Sequence, residues 1–301
     1  MSSPALHCGP AGWSYPHWNA VVYPKPRPRG FHGLEYLSQY FDGVELNVTF
    51  YQPLKPEIAR LWLRLVEGNR KFQFTAKLGR RFTHERELDA AEIGRFKDGL
   101  WPLLKAGRLG CLLMQFPWSF RYTEENRKFF VRLRRAFHEF PLAAEMRHSS
   151  WGLDEAVGTF VDYRVGYCNI DQPAFTKALG PSAHLTSPIG YFRLHGRALD
   201  ERIPQAARND YLYSPAELDD WKRRIERVAA HADRTFVFLT NDAGGKAVVN
   251  ALQLQAMLGV GAGAAPRTLA RQYRYELSGL HVSRPAQRSL LFDPSGDRAV
   301  A

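Results

Sequence analysis

The chain has 301 residues, 45% of them hydrophobic, which is enough to bury one large core and fits a single domain of α/β-barrel size. Its 41 Lys and Arg against 30 Asp and Glu give a formal net charge of +11, which permits binding to nucleic acid or other polyanions without demanding it. No apolar run follows the opening MSSPALHCGP and no stretch approaches ~18 apolar residues, so neither a signal peptide nor a membrane span is expected, and a cytoplasmic location is.

In chain order, strand-like runs fall at 6–12, 43–50, 71–78, 109–116, 142–147, 165–171, 190–196 and 235–241. Helix-period segments lie between most of them: 56–68, opened by Pro56, then 124–140, 214–232 and 245–258. Eight strands alternating with helices over about 250 residues predict a single-domain TIM-type (β/α)8 barrel, an α/β fold, across residues 1–258. GVGAGAAPR then opens residues 259–301, expected to form a basic C-terminal extension that serves as a linker or packs on the surface. Cys8, Cys111 and Cys168 are far apart in apolar segments and lack the spacing of a zinc or redox motif, so they read as buried small hydrophobes.

Residue parity locates the chemistry. Alternate side chains of a strand share a face, and a barrel strand turns one face to the helices and one to the axis. Polar residues alternate in seven strands: Glu45, Asn47 and Thr49; Gln73, Thr75 and Lys77; Gln115; Glu145 and Arg147; Asn169 and Asp171; Arg193 and His195; Asn241. The intervening positions are apolar, among them Val44, Phe74, Met114, Leu194, Phe236 and Phe238. A helix-facing surface does not tolerate charge, so the polar set is expected to point inward, near the C-terminal strand ends where barrel enzymes keep their active sites. His148 falls on the outward face by the same parity, and His84 falls in a loop.

All of these polar residues except Asn169 and Asp171 lie within GPAGWSYPHW (9–18), VYP (22–24), FDGVELNVTFYQ (41–52), FQFTAKLGRRFTH (72–84), LGCLLMQFPWSF (109–120), AAEMRHSSW (143–151), YFRLHGR (191–197) and NDAGGKAVVNA (241–251). In these motifs the chain resembles the domain of unknown function 72, or YecE-like, family over about residues 6 to 258. The resemblance implies a TIM-type barrel with a polar axial pocket. The family often ends its eighth strand with two asparagines; here the pair is Asn241 and Asp242, which leaves only Asn241 as an expected site residue.

The inward set contains three acids, Glu45, Glu145 and Asp171, and three cations, Lys77, Arg147 and Arg193, with His195 beside them. A site for divalent metals usually shows a surplus of carboxylate and imidazole ligands. Here the cations already supply the balance, so no cofactor is required, while a divalent metal on Glu45, Glu145, Asp171 and His195 is permitted. Without metal, Glu145, Lys77 and His195 would move protons, with Glu45 and Asp171 as further catalytic acids, and Arg147 and Arg193 would clamp a phosphate or carboxylate. Asn47, Gln115 and Asn241 add polar contacts to a substrate. Trp13, Tyr15 and Trp151 follow strands 1 and 5 and either roof the pocket over a flat substrate or anchor loops. Tyr211 is a candidate lid, and Gly244 and Gly245 stand where barrels frequently bind phosphate. The purely structural alternative is an ion-pair network filling the axis, an expensive filler where branched apolar side chains are usual.

Three functions follow as expectations. The first is an enzyme, a hydrolase or lyase, using acid–base residues on an anionic, phosphate-bearing small molecule. The second is a metal-dependent phosphodiesterase or endonuclease-like enzyme acting on nucleic acid, and the third a non-catalytic nucleic-acid or polyanion binder. No motif marks a protein partner.

Overall fold

The structure, a computed structural model, describes residues 5–197 and 209–283. Eight strands, β1 (Ala5–Pro10), β2 (Gly43–Leu46), β3 (Gln73–Lys77), β4 (Leu109–Gln115), β5 (Leu142–Glu145), β6 (Gly166–Asp171), β7 (Ile189–Leu194) and β8 (Arg234–Leu239), coincide with the eight predicted runs. They pair in parallel in the order β1-β8-β7-β6-β5-β4-β3-β2. The remaining seam, β1 to β2, is drawn together at the top by the Gly12 N–H, which donates to the Glu45 carbonyl at 2.9 Å. Glycine allows that approach: a Cβ on Gly9 would lie 2.2 Å from the Gly43 carbonyl oxygen. The result is a nearly closed (β/α)8 barrel of TIM type.

Outside the strands run α1 (Gly33–Leu37), α2 (Pro56–Leu65), α3 (Arg80–Thr83), α4 (Ala90–Lys105), α5 (Glu124–Ala136), α6 (Asp154–Asp162), α7 (Pro215–Ala229) and α8 (Lys246–Met257). Their starts are written in the sequence. Pro56 and Pro215 occupy first turns, where no N–H partner is missed, and the Asp89 and Thr123 side chains accept from the Glu92 and Asn126 N–H groups. Ser214 and Glu217 form a reciprocal capping box at α7. No helix separates β6 from β7; residues 172–188 cross as a loop. Among the described residues no helix is long and apolar enough to cross a membrane.

Two apolar clusters divide the shell. One gathers around β2 to β6 with α2, α4, α5 and α6, the other around β1, β7, β8, α7 and α8. All three cysteines are buried and free. Beyond residue 258 the chain does not leave the barrel at once. A short strand β9 (Ala264–Pro266), helix α9 (Arg267–Gln272) and strand β10 (His281–Ser283) follow, with Leu269, Tyr273 and Leu277 buried in the second cluster. Residues 284–301 of the expected extension lie outside the described residues.

The axis corrects the parity reading in two strands. Phe236 and Phe238 of β8 face inward, not toward the helices: Phe236 stacks on His7 with ring centroids 5.3 Å apart and reaches across to β4, where a Cβ on Gly110 would meet it at 2.2 Å. They fill the lower axis with apolar volume, as barrel interiors usually are filled. In β6 it is Asn169 and Asp171 that face outward. Asn169 donates to the His184 and Tyr191 carbonyls at 3.0 and 3.3 Å, holding the helix-free crossing. A polar side chain is tolerated on that face because loop backbone supplies its partners.

Candidate active site

Above the apolar floor, β2, β3, β5 and β7 deliver one buried network. Arg193, only 2% exposed, donates from Nη2 to Glu45 Oε1 at 2.9 Å and from Nη1 to Glu145 Oε2. The Tyr191 hydroxyl donates to Glu45 Oε2 at 2.9 Å and lies 2.9 Å from the Thr75 hydroxyl, which therefore donates to it. Glu145 Oε1 receives Arg147 at 2.7 Å from Nη2 and 2.9 Å from Nε, and lies 3.3 Å from His195 Nε2. Every carboxylate oxygen of the pair is thus occupied. Burial works to raise the Glu145 pKa, but Arg193, Arg147 and His195 outweigh it and hold the carboxyl well below its ordinary range.

The mouth lies on this network. His195 is pushed down to about 3 by burial, only partly offset by Glu145, so the imidazole is neutral. The pattern assigns its proton to Nε2, facing Glu145, while Nδ1 accepts from the Thr240 hydroxyl at 2.7 Å. Lys77, at the end of β3, has its ammonium 5.8 Å from the Phe50 ring centroid, and no ion pair or hydrogen bond holds it among the described residues. Burial first, then the Arg193 charge, lower its pKa to about 8 against the pull of Glu45 and Glu145. His84, edge-on to the same Phe50 ring at 5.2 Å, has its pKa lowered by burial and by Arg80 and Arg147. The Tyr15 hydroxyl donates to the Ala11 carbonyl at 2.5 Å and meets Asn47 Nδ2 at 3.5 Å, and Glu45 and Arg193 act on it electrostatically. Gln115 pairs in register with Glu145 and is half-buried.

The other expected site residues lie elsewhere. Asp171 is not part of the network: both of its oxygens accept from Arg197 Nε, at 3.0 and 2.9 Å, and Oδ2 also accepts from the buried Trp221 indole at 3.0 Å, under α7. Asn241 likewise points to the shell, donating to the Tyr211 carbonyl at 2.7 Å and to Asn250 of α8 at 3.0 Å. Tyr211 is tied by its hydroxyl to Glu217 at 2.5 Å, beside Arg197. Gly244 and Gly245 adopt φ of 60° and 80°, the left-handed region. They offer no open cradle: a Cβ on Gly245 would meet Val22 at 2.8 Å and Leu269 at 3.2 Å, and the Gly244 carbonyl accepts from Tyr273. The C-terminal segment covers that corner.

Trp13 is wedged edge-on against Trp62 at 5.0 Å, the loop-anchor arrangement. Trp151 is not a roof. It is fully buried, stacked on Phe120 at 5.5 Å and donating from Nε1 to the Phe120 carbonyl at 2.7 Å. Trp151→Ala is therefore expected to cost about 3–5 kcal/mol of stability by cavity formation, read as a lower midpoint in urea. A change of less than 1 kcal/mol would contradict the packing described.

Among the described residues no group of three or more His, Cys, Asp or Glu side chains is gathered to hold a metal ion. The four expected ligands do not fit one: Glu45 and Glu145 are saturated by arginine, tyrosine and histidine donors, and Asp171 is turned away. Two residues at or beside the network are absent from the sequence expectations: Tyr191, which has the parity of Arg193 and His195 and is legible on that ground, and Thr240, which follows β8, where parity points the wrong way; His84, expected in a loop, comes beside the network through Phe50.

Comparison with known proteins agrees with this architecture. The family model described as "Protein of unknown function DUF72" matches residues 7–273. The UPF0759 protein YunF of Bacillus subtilis is 27% identical over 284 residues, covering 88% of this chain and 99% of that protein. A crystal structure of a DUF72 family protein from Thermotoga maritima superposes with a TM-score of 0.75 at 29% identity, covering 85% of this chain and 99% of that one. One from Enterococcus faecalis V583, at 23% identity, shares the fold with a TM-score of 0.74, covering 85% and 96%. The match runs past β8 and takes in α9, ending before β10. With a family model spanning 7–273, the chain belongs to the DUF72 family.

Proposed function

We propose that the barrel mouth is the active site of an enzyme acting on an anionic, phosphate- or carboxylate-bearing small molecule. The observation that carries this reading is the charge left over at the mouth. Glu45 and Glu145 are neutralised by Arg193 and Arg147, His195 is neutral, and Lys77 remains as an unpaired cation over an aromatic ring. A half-buried ammonium without a counter-charge is unfavourable unless an anionic ligand completes it. Asn47 Oδ1 adds a buried acceptor without a hydrogen-bond partner among the described residues.

The division of labour differs from the simplest reading of the sequence. Arg193 sits too deep to clamp a ligand; it fixes both carboxylates. Arg147, 29% exposed at its side chain, is the arginine that reaches an incoming anion. Glu145 orients Arg147 and His195, which makes it a positioning residue. Lys77, with a pKa of about 8, holds a usable fraction of free amine near neutral pH and is the proton-transfer group.

A panel of phosphorylated and carboxylated small molecules incubated with the full chain tests this. Turnover of at least one is expected, with Arg147→Met raising its KM about tenfold or more while kcat changes little. Binding confined to polynucleotides, lost steeply with salt and without turnover, would instead establish the polyanion binder. Unchanged kinetics in Arg147→Met would remove the arginine from substrate binding.

A further inference from the structure

At the end of the barrel opposite the mouth, a cleft of about 280 Å³ opens between α5, the loop after α6 and the N-terminal ends of β5, β7 and β8. Three arginines from three elements line it, Arg134, Arg164 and Arg234, with Ser187 and a single carboxylate, Asp233. None of the three forms an ion pair among the described residues, whereas the arginines at the mouth are all matched.

Arg134 and Arg234 are half-buried beside the cleft, and Arg164 lines it as an exposed residue. Arg134 donates from Nε to the Tyr163 carbonyl at 3.0 Å, which fixes the guanidinium and leaves its outer fork free. Arg164 takes φ of 52°, the left-handed region, as α6 ends. Glycine or asparagine is the favoured residue there, so arginine occupies the position against backbone preference. Arg234 opens β8 with the parity of Phe236 and Phe238, and its charge acts on His7 and Cys111, placing the half-buried guanidinium at the axial floor. Three cations against one exposed carboxylate leave the cleft positive, and a half-buried guanidinium without a partner calls for an anion.

We propose that this cleft is a second anion site, remote from the mouth, and that it takes a phosphate group. Three arginines drawn from three separate elements around one cleft suit a tetrahedral anion with three or more free oxygens better than a carboxylate with two. Ser187 supplies a neutral donor for the same group. The site is independent of the reading of the mouth, and no strand end bearing Lys77, Arg147 or His195 contributes to it.

The test is calorimetric titration of the full chain with inorganic phosphate and with pyrophosphate at constant ionic strength. Saturable binding is expected, weakened about tenfold or more in Arg234→Gln and in Arg164→Asn. Arg164→Asn relaxes the left-handed backbone, so that variant is expected to fold even where Arg234→Gln does not. Any phosphate taken up at the mouth is weakened by Arg147→Met, whereas the binding component that Arg164→Asn and Arg234→Gln weaken should persist in Arg147→Met. Phosphate binding abolished by Arg147→Met and retained by Arg164→Asn and Arg234→Gln would place the anion at the mouth alone and overturn the proposal, as would the absence of saturable binding.

Discussion

Arg193→Met is expected to lower stability by about 3–5 kcal/mol, because it strips the buried Glu45 of its only ion-pair partner among the described residues and leaves Glu145 with Arg147 alone among the arginines. Glu45 and Glu145 are both fully buried and both bonded to this one guanidinium. Removing one member of a buried ion network costs far more than the intact network contributes, and the distinction gives the experiment its control. The triple variant Glu45→Gln, Glu145→Gln, Arg193→Met should recover most of the loss, since neutral groups carry no comparable desolvation penalty. The pH dependence has a definite sign. Glu145 has its pKa held low in the folded wild type, so the stability it contributes is present above the unfolded value of 4.5 and is lost as pH falls through the lower folded value. In Arg193→Met the Glu145 carboxyl loses the largest of the charges that hold its pKa low and keeps Arg147 and His195, so the variant has less carboxylate stabilisation to lose than wild type as the pH falls. Urea denaturation at neutral pH and near pH 4 should therefore show the two curves converging. A loss below 1 kcal/mol at neutral pH would mean that water, not Arg193, compensates the carboxylates.

The sequence made the network legible wherever charge had nowhere else to go. In β2, β3, β5 and β7 the alternation of Glu45, Thr75, Lys77, Glu145, Arg193 and His195 against apolar neighbours has one physical solution, an inward polar face. The same rule fails in β6 and β8 because it assumes that an outward face meets only apolar partners. Behind Asn169 the crossing is loop, rich in backbone carbonyls, and behind Asp171 it is the Trp221 indole and Arg197. Polar side chains there have partners that periodicity does not reveal. Phe236 and Phe238 misled in the opposite sense: large apolar residues belong to the lower axis as much as to the shell. Trp151 and the two glycines at 244 and 245 were read from position after a strand, yet position does not tell whether a loop residue turns up to solvent or down to the core. The packing of Phe120, Val22 and Leu269 against them is long-range information.

Lys77 offers the sharpest separation of function from structure. Lys77→Met keeps much of the stem and removes a charge that has no ion-pair partner, so the variant is expected to be at least as stable as wild type at neutral pH. On a substrate found by the panel it should lose about 10²–10⁴-fold in kcat, the range associated with loss of a general acid–base group. The folded chain releases this proton at about pH 8, against 10.5 for the unconstrained side chain. Below pH 8 the ammonium is present in both states and the fold bears the cost of burying it. Between about 8 and 10.5 the unfolded chain binds more protons, so the wild type gains stability relative to Lys77→Met as pH rises through that window. Denaturation of the two proteins at pH 7 and pH 10, compared as a difference, isolates the lysine from tyrosines titrating in the same range. Amine labelling followed by peptide mapping supplies an independent reading: at pH 8 Lys77 should react ahead of solvated lysines, and a bound anionic ligand should protect it. A variant that loses stability at neutral pH, or a lysine that labels no faster than the others, would show that a counter-charge holds the ammonium, and proton transfer would then have to be assigned to another group at the mouth.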